Sequence, residues 1–416
     1  MSATLSDVTA KLLERYDSRR GALPGSLTRR DAAASSFRIA GLPSVRDEAW
    51  RHTSLRLIGD IIGRAPSQAG TVSNLLDRLP GVDGGRVVAI DGQVRDDLLR
   101  QPDGVRIYRL ADRPDIALDR PASRQLTDLN AMLAEDGAVI EVAAGVDAGV
   151  LVLASLATGS VDAFHPRYVV RLGEGARLSL LEFDVGTGNY LHNAALAVTV
   201  GRGATFLHAR VQNESRTAAS IATIDLDLAA SGVANSFTLN VGAQLARAET
   251  HVRIVGEGAT AHLNAVQLLS GRQHGDVTTV VRHEAPDCAS RQTVKNVVTG
   301  HARAVFQGKI EVARAAQKTD AYQMNQSLLL SPDAEADSKP QLEIYADDVK
   351  CSHGATVGEL DAEQLFYLRS RGLPLPEARR LLTEAFISGA LEEIDDVRLR
   401  APIEAAVAAT WAEWQQ

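Results

Sequence analysis

Three copies of a glycine motif stand at Gly173-Glu174-Gly175-Ala176, Gly201-Arg202-Gly203-Ala204 and Gly256-Glu257-Gly258-Ala259. Each copy follows a run rich in Val and Leu and precedes another such run, so we interpret the copies as turns between short strands. The first two copies begin 28 residues apart, and the third begins 55 residues later, with a degenerate turn near Gly232 between them. Glycine turns at a near-regular interval indicate a solenoid, in which stacked coils share one core.

The β-rich runs continue on both sides of these turns, from about residue 138 to residue 345. A sandwich and a barrel are the alternative all-β folds, and the near-regular interval favours the solenoid over both. The glycine motifs lack the Lys-Ser/Thr of a phosphate loop and the spacing of a dinucleotide-binding loop. We therefore interpret them as turns without a ligand.

Helical patterns flank the β-rich core. The segment around Val8, Leu12 and Tyr16 has one apolar face, and a second helix is expected over residues 27–39, ending before Gly41. We also expect strands at 87–90 and 105–108 and a short helix at 126–136. At the C-terminal end, Asp361-Ala362-Glu363-Gln364 resembles a capping box, and a last helix is expected over roughly 402–414. The predicted regions are a helical and mixed region (1–137), a solenoid core (138–358) and a helical region (359–416).

Composition limits the class of protein. The chain has 416 residues, 45% hydrophobic and 23% charged, with a formal net charge of −8. The acidic balance argues against nucleic acid as the main partner, and no run approaches the roughly 20 apolar residues of a membrane span. Two cysteines cannot make a disulfide framework, and no secretory signal opens the sequence. We therefore expect a cytoplasmic protein.

Cys351 and His353 are the candidate metal ligands. They lie two positions apart in a predicted strand, so their side chains share one face and offer a thiol and an imidazole to a thiophilic metal. If the alternation of residues 342–347 continues unbroken, both fall on its polar side, facing solvent or a partner; a bulge at Asp347-Asp348 would reverse this. A packed thiol is the alternative for Cys351. The other cysteine, Cys288, lies in a predicted loop, where we expect a packed thiol.

The sequence contains no His-Glu-x-x-His, Cys-x-x-Cys, Gly-x-Ser-x-Gly or P-loop motif. This favours a scaffold or a subunit over a complete enzyme. A solenoid also ends in a rung whose backbone groups are unpaired, and such an edge can pair with the edge of another solenoid. A terminal strand with Cys351 and His353 would place half of a metal site at that junction.

Two long stretches, residues 317–331 and 333–372, resemble the SufB/SufD family of the SUF iron–sulfur cluster assembly system. Residues 46–53, Arg-Asp-Glu-Ala-Trp-Arg-His-Thr, resemble the N-terminal signature of that family, with His52 in place of the usual Tyr. We expect Trp50 to pin this polar segment onto the domain. Residues 350–356, Lys-Cys-Ser-His-Gly-Ala-Thr, resemble the SufD type rather than the SufB type.

The resemblance implies a right-handed parallel β-helix with helical ends, and a complex with SufB and two copies of the ATPase SufC. It implies cluster assembly near the SufB–SufD interface, where His353 contributes and Cys351 is at most auxiliary. The expected cofactor is thus a transient iron–sulfur cluster or iron at that interface, with a flavin possible in the complex and nothing tightly bound to this chain alone.

The resemblance places the SufC docking site on the helices of residues 365–391. The alternative role of these helices is to cap the open end of the solenoid. Without its partners, the chain is expected to form a homodimer through its last rung. We predict a non-catalytic scaffold. The competing functions are a β-helix polysaccharide lyase or hydrolase and a structural homodimer without a metal.

Overall fold

The computed structural model describes residues 4–64, 70–113 and 124–414. The helices are α1 (Leu5–Arg19), α2 (Leu27–Ala40), α3 (Arg56–Ile61), α4 (Val72–Leu76), α5 (Gln125–Leu133), α6 (Ala362–Ser370), α7 (Leu375–Leu391) and α8 (Val397–Trp414). The strands before the first glycine motif are β1 (Gly85–Ile90), β2 (Gln93–Val94), β3 (Val105–Arg109), β4 (Gly137–Val142), β5 (Asp147–Ala157), β6 (Ala163–Phe164) and β7 (Arg167–Leu172). The strands after it are β8 (Arg177–Gly186), β9 (Leu191–Val200), β10 (Thr205–Asn213), β11 (Ala219–Leu228), β12 (Val233–Asn240), β13 (Leu245–Ile254), β14 (Thr260–Leu269), β15 (His274–His283), β16 (Ala289–Val298), β17 (Arg303–Val312), β18 (Asp320–Leu329), β19 (Glu335–Ile344) and β20 (Lys350–Gly358).

From β7 onward, successive strands alternate between two sheets. Sheet A has the order β2-β1-β5-β8-β10-β12-β14-β16-β18-β20, and sheet B has the order β19-β17-β15-β13-β11-β9-β7-β4-β3, with β6 beside β9. Neighbours pair in parallel, apart from the antiparallel pairs β1–β2 and β3–β4. The predicted parallel solenoid with helical ends is therefore confirmed. Strand β1 lies upstream of the predicted core and pairs with β5.

The glycine motif at 256–259 shows why the repeat has its sequence. A Cβ on Gly256 would lie 1.9 Å from the backbone nitrogen of Ala230 in the preceding coil, so only glycine allows this approach. Gly258 has φ +70°, a conformation that L side chains rarely adopt. Ala259 is fully buried. In the degenerate turn, Ser231 takes the corresponding conformation, with φ 55°.

Both faces of each sheet pack against other parts of the chain, except at the terminal strands β19 and β20, which bury no residue. The inner faces meet in an apolar core that includes Leu180, Phe206 and Leu226. On the outer face of sheet A, α7 and α8 bury apolar side chains, among them Ile387 and Ile403. The outer face of sheet B packs against the N-terminal helices. A fully buried Leu, Ile or Phe side chain contributes about 1.5–3 kcal/mol relative to an exposed one, so this packing stabilises the solenoid along its length.

The predicted helices and strands outside the core correspond to α1, α2, α5, β1 and β3. Two helix boundaries are wrong: α5 ends at Leu133 rather than near Asp136, and α8 begins at Val397 rather than near Pro402. A carboxylate oxygen of Asp396 accepts a hydrogen bond from the Arg398 backbone at 3.0 Å, so this side chain satisfies a donor in the first turn. Pro402 lies inside the helix.

Candidate functional site

The solenoid ends in an unpaired edge. Within the described residues, β20 pairs only with β18, and β19 is the last strand of sheet B. The Lys350 backbone N–H donates to the carbonyl of Thr319, beside β18, at 2.8 Å. Alternate residues of a strand direct their backbone groups to opposite sides. The backbone groups of Cys351, His353 and Ala355 therefore face the free edge, as expected for a terminal rung.

Cys351 and His353 continue two rows of side chains that are buried in the preceding coil. Their register partners in β18 are Ala321 and Gln323, which are 1% and 0% exposed. The two side chains thus share a face, as predicted. That face continues the inner wall of the solenoid, so the alternation of residues 342–347 does not continue into β20. The reason is the connection over residues 345–349, where the chain leaves sheet B for sheet A and the register reverses.

The two candidate ligands differ in accessibility. His353 is exposed, whereas Cys351 is half-buried and packs against an apolar group at the end of the core. Burial is the largest cause of the raised pKa of the Cys351 thiol, and the nearby Asp320 carboxylate adds to it. The thiolate is the form that binds metals. In the chain by itself, His353 is therefore the more available ligand.

The segment with the N-terminal signature lies on the outer face of sheet B and reaches the same end of the solenoid. Trp50 is 5% exposed, and its ring lies 4.0 Å from Cζ of Arg247. The Thr53 hydroxyl donates to a carboxylate oxygen of Asp276. Glu48 forms an ion pair at 2.8 Å with Lys339, and Lys339 lies on the terminal strand β19. The prediction that Trp50 pins this segment is confirmed.

His52 makes a second contact between this segment and strand β19. Its Nδ1 is 3.3 Å from a carboxylate oxygen of Asp337, also on β19. The backbone carbonyl of Ala49 accepts a hydrogen bond from the Gln307 amide at 3.1 Å. Segment 46–53 thus contacts β17 and β19, the last two strands of sheet B, on their outer face. These contacts hold β19 in place next to the free edge.

Comparison with known proteins agrees with this architecture. Residues 155–386 match the SufBD core domain of the SUF system for FeS cluster assembly. The chain is also similar to the iron–sulfur cluster assembly protein SufD of Escherichia coli, with 34% identity over 88% of this chain and 89% of that protein. The chain belongs to the SufB/SufD family. It is of the SufD type and has a role in iron–sulfur cluster assembly by the SUF system.

Other relatives show the same extent of similarity. The chloroplastic protein ABCI7 of Arabidopsis thaliana is 31% identical over 89% of this chain and 83% of its own length. A SufBD family protein of Synechocystis is 29% identical over 88% of this chain and 87% of its own length. Both similarities therefore extend beyond the residues 155–386 of the core match.

A second group of metal-ligand side chains lies inside the solenoid, and sequence reasoning missed it. Within the described part of the chain, Asp184, His192 and Glu214 have ligand atoms within 4.8 Å of one another, and all three are buried. His192 Nδ1 lies 3.1 Å from Glu214 Oε1. The Arg210 guanidinium donates to Asp184 Oδ2 at 2.8 Å and to the Ser220 hydroxyl at 3.4 Å.

The ionisation of this inner group follows from burial and from the pairing. Burial raises the pKa of Asp184 to about 6, although Arg210 acts in the opposite direction. Burial lowers the pKa of His192, but the carboxylates of Glu214 and Asp184 outweigh it and leave the pKa raised. Burial raises the pKa of Glu214, but His192, Ser220 and Arg210 together outweigh it and leave that pKa lowered. Arg210 pairs with Asp184, and His192, whose pKa is raised, lies against Glu214, so each of these two carboxylates has a basic partner.

The inner group could have been found in part from the spacing of charged residues in the sequence. Residues about one coil apart become neighbours, as with Glu182 and Arg210, which are register partners in β8 and β10. His208 stacks in the same way on Ser236, with 2.8 Å between Nδ1 and the hydroxyl. A search for charged residues at the 28-residue interval of the glycine motifs could therefore have found part of it.

The C-terminal helices present an exposed aromatic surface. Helix α7 lies against β14 and β16 and α8 lies against β8 and β10, so both cover the outer face of sheet A. Capping of the open end, the alternative role of the helices of residues 365–391, does not describe α7. Helix α6 buries no residue; Phe366 and Tyr367 are 73% and 57% exposed beside a groove of about 850 Å³ that Leu382 of α7 also lines. The Asp361 side chain caps α6, accepting from the backbone of Gln364 at 3.0 Å.

The remaining predictions concern Cys288 and the membrane. Cys288 is 1% exposed, and its thiol donates to the carbonyls of Gly256 at 3.3 Å and Pro286 at 3.1 Å. It is a packed thiol, as expected. Among the described residues, no helix is both long enough and apolar enough to span a bilayer.

Proposed function

We propose that this SufD-type chain is a non-catalytic scaffold subunit that pairs with a SufB paralogue through its terminal strands. The observation that carries the proposal is the unpaired edge of β20, which presents His353 beside free backbone groups. Pairing of this edge with a similar edge would satisfy both sets of backbone donors and acceptors. The same edge is expected to form a homodimer when the chain is alone.

The proposed chemical role of His353 is to hold iron, or a nascent iron–sulfur cluster, as cargo at this junction. A neutral imidazole is a good ligand for iron, whereas a half-buried thiol with a raised pKa is a weaker one. Cys351 is therefore auxiliary, and the remaining ligands come from the SufB side. The group of three candidate metal ligands found among the described residues contains neither His353 nor Cys351, as expected for a site that two subunits complete.

The proposed docking site for the SufC ATPase is the α6 surface together with the adjoining side of α7. Phe366 and Tyr367 are large aromatic side chains that pack little of their surface within this chain. Aromatic residues of this kind are the usual anchors of protein interfaces. ATP hydrolysis in SufC would then act on the SufB–SufD junction through the C-terminal helices. A flavin in the assembled complex stays a prediction.

Co-expression of this chain with its SufB and SufC partners tests the assembly. We expect the three proteins to purify together, and the double variant Phe366→Asp/Tyr367→Asp to retain SufB while losing SufC. Ile39→Asp is the matched control, because Ile39 is 89% exposed and lies on α2, outside the proposed docking surface. Retention of SufC by the double variant would refute the docking site. Failure of wild-type chain and SufB to associate would refute the scaffold role.

A further inference from the structure

The inner group of metal-ligand side chains lies at one corner of the solenoid, where the chain passes from sheet A to sheet B. Asp184 lies near the end of β8, His192 lies at the start of β9, and Glu214 directly follows β10. Because successive coils stack on one another, the same corner of two coils supplies all three residues. Four strands of sheet A lie between β10 and the edge strand β20, so this group is separate from Cys351 and His353.

The distances within this group suit a single ion. The three residues offer ligand atoms that lie within 4.8 Å of one another. His192 Nδ1 and Glu214 Oε1 are 3.1 Å apart. Two ligand atoms that each lie about 2.1 Å from an ion, at an angle of about 90–110°, are roughly 3.0–3.4 Å apart. The His192–Glu214 pair has this separation, and a small movement of the Asp184 side chain would bring its carboxylate to the same ion.

Negative charge exceeds the fixed positive charge at this corner. The buried carboxyl groups are those of Glu182, Asp184 and Glu214. Arg210 supplies a permanent positive charge, 2.7 Å from Asp184 and 3.8 Å from Glu182. The remaining ion-pair partners among the described residues are imidazoles, His192 beside Glu214 and His208 at 3.3 Å from Glu182. A neutral imidazole is a metal ligand, so a divalent ion would supply positive charge that the fixed groups lack.

A buried hydroxyl group lies beside the same three residues without a partner. Tyr190 is 0% exposed, and its Oη has no hydrogen-bond partner among the described residues. Burial raises the pKa of this phenol and the carboxylates of Glu214 and Asp184 add to the rise, so the hydroxyl lies near both. Gly186 leaves room for it, since a Cβ there would lie 2.2 Å from Oη. A buried hydroxyl without a partner calls for an explanation, and an ion with its bound water would provide one.

We propose that Asp184, His192 and Glu214 bind one divalent ion of a first-row transition metal inside the solenoid. One imidazole nitrogen and two carboxylates suit Mn²⁺, Fe²⁺, Co²⁺ or Zn²⁺, whereas the thiolate ligands that favour Cu⁺ are absent from this group. Arg210 would share the Asp184 carboxylate with the ion. Phe164 stacks on the His192 ring with 4.6 Å between centroids and shields the ligand from water. This site does not depend on the proposed function of His353.

Cobalt binding by the full-length chain is the direct test. The parent protein is the double variant Cys351→Ala/His353→Ala, which removes the candidate ligands at the free edge. We expect it to retain one Co²⁺ per chain after dialysis, with visible absorption bands of cobalt bound by nitrogen and oxygen and without a thiolate charge-transfer band. A parent that retains no Co²⁺, or that binds it through sulfur, would overturn the proposal.

Isosteric substitutions in this parent locate the ion. Loss of an outer partner of a metal ligand already costs about 10–100-fold in affinity, so Asp184→Asn and Glu214→Gln should each weaken Co²⁺ binding at least tenfold. Glu182→Gln is the matched control, because Glu182 is a buried carboxyl group on the same strand but lies outside the ligand group. We expect the control to bind Co²⁺ within a few-fold of the parent.

Two results with these variants would contradict the site. The first is unchanged binding in both ligand variants, and the second is an equal loss in Glu182→Gln, which would indicate a general response to buried charge. Circular dichroism shows which variants fold. If neither ligand variant folds, X-ray absorption of Co²⁺ in the parent decides, because a coordination shell without an imidazole would also overturn the proposal.

Discussion

The indole ring of Trp50 covers the guanidinium group of Arg247, with 4.0 Å between the ring centroid and Cζ. Arg247 is 1% exposed and also pairs with Glu249 at 3.0 Å and with Asp276. A cation over an aromatic face is worth most where water is excluded. The contact therefore ties the N-terminal signature segment to sheet B, close to the strands that lead to the free edge.

Removal of the Trp50 ring should destabilise the protein strongly. We expect Trp50→Ala to lower the free energy of unfolding by about 3–5 kcal/mol, since it leaves a cavity over a buried cation. Trp50→Phe keeps an aromatic face over Arg247 and should cost clearly less. Urea unfolding followed by circular dichroism measures both. Equal losses for the two variants would show that the aromatic face over Arg247 contributes nothing measurable.

The free edge can be tested with proline at two adjacent positions. The Ala355 backbone N–H faces the open side of β20, whereas that of Thr356 faces β18, as the Lys350 hydrogen bond indicates. Proline has no N–H to donate. We expect Ala355→Pro to stay folded and to weaken self-association at least tenfold, and Thr356→Pro to disturb the pairing with β18.

Sedimentation analysis over a range of concentrations would measure this association. A wild-type chain that stays strictly monomeric at micromolar concentration would count against pairing through the edge. So would an Ala355→Pro variant that associates as tightly as the wild type. Circular dichroism of both variants separates loss of association from loss of the strand.

Acid should destabilise the fold through His165. This residue is 0% exposed, and burial lowers its pKa from 6.5 to about 3. Between these values the unfolded chain binds a proton at His165 that the folded chain does not bind, so stability falls as pH falls. The slope from one such group is about 1.4 kcal/mol per pH unit where the unfolded imidazole is fully protonated and the folded one is neutral.

The variant His165→Asn should reduce that slope by about the same amount, about 1.4 kcal/mol per pH unit, even if its stability at neutral pH is lower. His301→Asn is the control, because the His301 side chain is 62% exposed. Urea unfolding at several pH values between 7 and 4 gives the slopes. Parallel stability curves for His165→Asn and the wild type would show that His165 is not responsible.

The sequence predicts the coils of this fold but not all of the side-chain contacts between them. The glycine motifs reveal the solenoid because Gly256 and Gly258 meet local requirements, a close approach and a positive φ, that few other residues satisfy. Trp50 could be assigned to a docked segment because a lone aromatic in a polar run needs a surface that covers its ring. The residue under the ring, Arg247, could not be predicted, since it lies about two hundred residues away on the outer face of a strand.

The candidate site was predicted only in part. The spacing of Cys351 and His353 correctly places both on one face of a strand. The direction of that face depends on the connection between β19 and β20, where no local pattern fixes the register. The inner group around Asp184 and His192 escaped detection for a related reason. Charged residues on the inner face of a strand resemble solvated ones until the opposite sheet is known.

The cluster yield of the His353→Ala complex tests the central claim most directly. The variant chain would be co-expressed with SufB and SufC, purified without oxygen and reconstituted with iron and sulfide, beside the wild type and Cys351→Ala. Because His353 is exposed, we expect His353→Ala to fold and assemble normally yet hold several-fold less cluster, whereas Cys351→Ala should have a milder effect. A wild-type amount of cluster in the intact His353→Ala complex would contradict the account.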